Sequence, residues 1–247
     1  MSELKFPTEM VDLPSKGLFY PENHPLASGK IEMKYMTAKE EDILTNRVYI
    51  EKGIVIDKLL QSLIITKFDY NDLLLVDKNA IMIAARVLGY GKDYEFMYKG
   101  EKCSIDLSTL EPKKVDESLW GKGKNEFSYT LPTTGHIVTF KLLTHGDEKK
   151  INDEIKGLQK INKDASPELT TRLKHVITSV DGNSENKTIR QFVDNNLLAR
   201  DARSFREYVR EVTPEIELKF DYEGPNGIEE GVDIPINLNF FWPDSGI

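Results

Sequence analysis

Three runs of alternating apolar residues, each folded back by a glycine-bearing turn, constrain this chain more than any other feature. Tyr94, Phe96 and Tyr98 alternate with polar neighbours, Lys99-Gly100-Glu101-Lys102 turns the chain, and Cys103, Ile105 and Leu107 alternate on the return. Phe127, Tyr129 and Leu131 lead through Pro132-Thr133-Thr134-Gly135 into Ile137, Val138 and Phe140. Ile216, Leu218, Phe220 and Tyr222 reach Gly224-Pro225-Asn226-Gly227, and Val232, Ile234, Ile236, Leu238 and Phe240 come back, with Pro235 on the opposite face marking an edge strand. A period of two with a turn at its midpoint is the pattern of a half-buried β-hairpin. The first and third hairpins share aromatic alternation and an Ile-Asp or Asp-Ile strand, which suggests a repeated ribbon.

Between the hairpins the period changes to that of a helix. Thr37 with Glu40 three residues on forms a capping box. Ile56, Leu59, Leu60, Leu63 and Ile64 share one face of a helix over 54–65. Asp77 is placed to cap a helix from Lys78 to Leu88 that Gly89 ends in the left-handed conformation. After Asp147, Ile151, Ile155, Leu158 and Ile161 recur at helical spacing. Ser166 caps the next helix, with Pro167 at its first position and a stripe of Leu169, Leu173, Val176, Ile177 and Val180. Two short helices, Ile189–Leu197 and Ala202–Val212, precede Pro214. The predicted class is α+β. It runs as an arm and strand (1–36), a helical segment (37–89), a hairpin region (90–144), a second helical segment (145–213) and a C-terminal hairpin with an aromatic tail (214–247), gathered into one or two compact domains.

Phe6 to Gly29 carries Pro7, Pro14, Gly17, Pro21, Pro25 and Gly29, and so reads as an extended arm with turns. Its Leu18, Phe19 and Tyr20 are expected either to lie on the body or to dock on a partner. The Phe240-Phe241-Trp242-Pro243 tail poses the same choice. Alternation sends Phe240 inward and Phe241 outward, and large aromatics either seal a core or anchor an interface. Leu18, Phe19, Tyr20, Phe241 and Trp242 are the candidate partner-binding residues.

Other chemistries find little support. Forty-one acidic against 33 basic residues leave a net charge of −8, which repels a phosphate backbone, so nucleic acid is not expected as a partner. Cys103 is the one cysteine, so no internal disulfide forms. Met1–Met10 lacks the apolar centre of a signal peptide, and no run approaches the roughly 18–20 apolar residues of a membrane span. A reducing cytoplasm is the expected place of synthesis. His24, His136, His145 and His175 are scattered, without the paired spacing of a zinc site. Cys103 suits a small buried residue in a strand. Gly89-Tyr90-Gly91-Lys92 follows a helix and precedes a hairpin, the reverse of a phosphate-binding loop, and there is no Gly-x-Ser-x-Gly elbow. Glu40, Glu41 and Asp42 complement a helix dipole, and Glu229-Glu230 suits a solvated hairpin tip. No residue is assigned a catalytic, cofactor-binding or metal-ligating role, and no cofactor or small-molecule substrate is expected.

A set of short motifs, in order along nearly the whole chain, resembles the baseplate hub and hub-assembly proteins of T-even-like contractile-tailed bacteriophages. They are Leu13-Pro14-Ser15-Lys16-Gly17 with Tyr20-Pro21, Gly29-Lys30-Ile31-Glu32-Met33, and Thr37 to Leu44. Further on come Ile105-Asp106-Leu107, Leu131-Pro132 to Thr144, Asp201-Ala202-Arg203-Ser204, Pro214, and Ile234-Pro235-Ile236 with the Phe-Phe-Trp-Pro tail. The resemblance implies a non-enzymatic component of the baseplate hub whose partners are other baseplate or hub proteins, made in the host cytoplasm and retained in the virion tail. A factor that builds the hub and departs is the alternative, and a phage enzyme such as a cell-wall hydrolase or an unrelated interaction module ranks behind. Some such relatives are expected to carry paired cysteines in the ribbons. Here only Cys103 remains, so packing and hairpin hydrogen bonds must hold the ribbons.

Overall fold

The computed structural model describes residues 7–163, 166–225 and 227–241. Its fold is α+β: helices interleaved with small antiparallel sheets around one continuous apolar core.

The chain opens not as an extended arm but as a ribbon. β1 (Thr8–Asp12) pairs with β2 (Lys30–Lys34), Val11 opposite Ile31. The prolines and glycines between them form a compact loop, because Gly17 and Gly29, both at φ +74°, let two backbone segments touch. A Cβ on Gly17 would stand 2.5 Å from the Ala27 carbonyl oxygen. Leu13, Phe19, Tyr20 and Leu26 are thereby driven into the core.

Three short helices follow: α1 (Ala38–Leu44), α2 (Arg47–Glu51) and α3 (Val55–Leu63). As expected, Glu40 reaches back to Thr37, accepting from its N–H at 3.0 Å and its hydroxyl at 2.6 Å. α4 (Leu75–Tyr90) starts before and ends after the expected helix. Asp77 is not its cap: it lies in the first turn with its side chain buried. Gly89 is not its stop either. A Cβ there would meet Met36 at 3.1 Å, so that glycine serves packing, and the positive φ falls at Gly91. Arg86 then fastens the helix end to the next strand, donating to the carbonyls of Gly91 (2.7 Å) and Asp93 (2.9 Å).

β3 (Asp93–Tyr98) and β4 (Glu101–Asp106) form the first hairpin around Lys99 and Gly100, both at positive φ, as a two-residue turn of matching twist requires. β8 (Lys219–Gly224) and β9 (Gly227–Asp233) form the last. These two similar ribbons pack face to face. Phe96 meets Phe220 edge-on at 4.9 Å and Tyr98 meets Tyr222 at 5.0 Å. Tyr222 donates to Glu101 (2.9 Å), and Tyr98 and Lys99 both reach Glu229. The Glu229 carboxylate is thus spent on joining the ribbons.

β5 (Phe127–Thr130) and β6 (Ile137–Phe140) make the middle hairpin, extended to three strands by β7 (Ile177–Val180). β7 corrects the helical stripe expected to run through Ile177 and Val180. α6 (Glu168–Val176) stops at Val176, and the β-branched Ile-Thr-Ser-Val run supplies the open edge of β6 with a partner. α5 (His145–Ile161), α7 (Asn186–Asn195) and α8 (Ala199–Val212) complete the helical layer. The return strand expected to reach Phe240 ends at Asp233. Past Pro235, which has no N–H to give a ladder, the chain coils into a short helix, α9 (Leu238–Phe241).

Candidate docking surfaces

The residues singled out in the loop are largely consumed by this chain. Phe19 is buried against Trp120 (5.1 Å) and Phe127 (5.5 Å). Tyr20 is buried, its ring stacked on His24 at 4.9 Å. Its phenol accepts the Leu74 N–H (3.0 Å) and donates to Asp77 (2.8 Å). Asp77 also accepts from the Ser15 N–H (2.9 Å) and hydroxyl (2.8 Å). Ser15, Tyr20 and Asp77 therefore clasp the loop to α4. Burial raises the Asp77 carboxyl to about 6, against hydrogen bonds from Ser15 and Tyr20 that lower it. Burial, then the Asp77 charge, pushes the Tyr20 phenol far up, so it stays a donor.

Leu18 is half-buried, and its carbonyl accepts from the Gly123 N–H at 2.7 Å. Phe241, expected to face outward, is buried beside Phe240 with ring centres 4.9 Å apart, because the helical turn replaces strand alternation. Trp242 lies outside the described residues. The expected docking role of Phe19, Tyr20 and Phe241 is thus corrected: their apolar surface is already covered by the chain's own core.

A different surface is left open. Along α5, Ile151 is fully buried and Ile155 packs against the core, while Leu158 is 36% and Ile161 87% exposed. The apolar stripe therefore runs past the end of the body. Leu169, near the start of α6 and 49% exposed, lies at the same end of the α5–α6 hairpin, where Gln159 reaches Glu168. Below this tip the hairpin is braced. Arg190 of α7 grips Glu154 of α5 with two bonds of 2.6 and 2.7 Å, and His175 of α6 approaches the same carboxylate at 2.9 Å. Arg172 adds a second bidentate pair with Glu148, both bonds 2.8 Å. The Arg190 guanidinium, aided by His175, holds the Glu154 carboxyl down at about 2. The sequence displayed the stripe but not its free end, since a period does not distinguish a face toward a neighbour from one toward solvent.

The four histidines lie apart, each beside its own carboxylate: His24 by Asp72, His136 by Asp181, His145 by Asp57 and His175 by Glu154. Among the described residues no three or more metal-ligating side chains converge, and no helix is long and apolar enough to cross a membrane. Cys103 is half-buried on the first ribbon. No protein-family model, curated protein or solved structure matches the chain.

Proposed function

We propose that this chain is a structural component of a contractile-phage tail baseplate, in its central hub, working through contacts with other baseplate proteins. The order of its sequence motifs supports the assembly, and the stripe ending at Leu158 and Ile161 supports the means of contact. A rigid helical hairpin that ends in exposed aliphatic side chains suits insertion into a groove on another subunit. Covering Ile161, 87% exposed, contributes about 1.5–3 kcal/mol relative to leaving it in water, and Leu158 and Leu169, already half or more covered, contribute less.

Quantitative mass spectrometry of purified tails tests the reading. Copies in fixed ratio to the hub proteins are expected, with incorporation lost on Leu158→Glu or Ile161→Glu while the free chain melts as before. Presence in infected-cell extracts but absence from finished tails replaces a structural subunit with an assembly factor that departs.

A further inference from the structure

A second surface, remote in chemistry from the apolar tip, is an open groove of ≈ 570 Å³ between the 131–135 turn and α8, lined by Pro132, Thr133, Arg200, Arg203, Ser204 and Glu207. Asp201 of α8 ties the turn to the helix. This buried carboxylate accepts from the Thr133 N–H (2.8 Å), the Thr134 N–H (3.1 Å) and the Thr134 hydroxyl (2.8 Å). It spends both oxygens on the turn, and so is not available to Arg200 or Arg203, the arginines one position before it and two after it. Arg200 and Arg203 stand three residues apart on one helix face and are exposed. Arg203 gives its Nε to Glu207 at 2.9 Å. Among the described residues nothing pairs with its two terminal nitrogens, nor with Arg200.

We propose that this groove binds an acidic peptide segment of a partner protein, its carboxylates seated on the forks of Arg200 and Arg203. The planar guanidinium offers two parallel N–H groups matched to the two oxygens of a carboxylate. The volume lies within the range of ligand-binding clefts. Glu207 in the lining and the chain's net charge of −8 repel anions in general, so the two guanidinium forks favour a segment whose single charges are spaced along it over a dense polyanion. The site is independent of the α5–α6 tip and stands on its own geometry.

Fluorescence anisotropy of a labelled hexapeptide of alternating Glu and Gly, titrated with the full chain, tests this directly. Saturable binding is expected, weakened about tenfold or more by the Arg200→Ala, Arg203→Ala double variant and unchanged by Arg206→Ala. The thermal midpoint of the double variant should match the parent, since both side chains are solvated. Added inorganic phosphate at equal ionic strength should not displace the peptide. Absence of binding at millimolar chain, equal binding by the double variant, displacement by phosphate, or tighter binding of a single-stranded oligonucleotide of equal charge would each overturn the proposal.

Discussion

Two carboxylates tie this molecule together in opposite ways. At the N-terminal loop, Asp77 is buried and surrounded by neutral donors: one amide and two hydroxyls. In the helical hairpin, Glu154 is partly solvated and held by Arg190 and His175. Desolvation dominates the first and raises its carboxyl to about 6; the guanidinium dominates the second and lowers its carboxyl to about 2. The loop thus belongs to the core, where its buried carboxylate partner is matched by donors from inside the chain. The hairpin stands partly in water, braced well enough to hold its shape while its tip stays uncovered.

The sharpest break of this contrast is Asp77→Ala. It orphans the Ser15 N–H, the Ser15 hydroxyl and the Tyr20 hydroxyl together, and each unsatisfied buried group costs about 1–3 kcal/mol. Removing the buried charge offsets part of that. Urea unfolding at pH 7 should show a net loss of about 2–4 kcal/mol. Gly17→Ala attacks the same loop through its backbone. The left-handed φ and the collision with the Ala27 carbonyl and the Gly29 amide should cost about 2–3 kcal/mol, read as a lower thermal midpoint. Any loss of less than about 0.5 kcal/mol from either variant would show that the loop is an arm after all.

That misreading has a physical source. Proline and glycine forecast irregular backbone, and the backbone of 13–29 is irregular; they do not forecast whether it lies on the surface or closes over a core. The decisive partner, Asp77, is 62 residues from Ser15, and no local pattern links them. The hairpins, by contrast, were legible because alternation and turn chemistry are local, and the turn falls inside the expected 99–102 run, at Lys99-Gly100, with Glu101 and Lys102 already in β4. β7 and α9 were not: Ile177–Val180 pairs as a strand because β6 has an open edge, and Phe241 turns inward because α9 coils. Both outcomes depend on neighbours distant in sequence. The apolar stripe of α5 could be read, but its exposed end depends on where the body stops.

The smallest effects separate the two carboxylates by sign. Glu154 has a lowered folded pKa, so its contribution is present above the ordinary value near 4.5 and is lost as pH falls toward about 2. Arg190→Ala should therefore cost about 1 kcal/mol at pH 7, the pair being partly solvated, and that deficit should shrink by pH 3.5. Asp77 has a raised folded pKa. Its ionisation costs nothing below its ordinary value of 3.8 and withdraws stability as pH rises through about 6. The deficit of Asp77→Ala should accordingly be larger at pH 4.5 than at pH 7, by about 1–2 kcal/mol, because the parent regains what ionisation had cost. Urea titrations of the parent and both variants at pH 3.5, 4.5 and 7 give the two slopes. Slopes of the same sign would mean that a cation reaches Asp77 in solution, and that the loop opens to water where the clasp requires it to be closed.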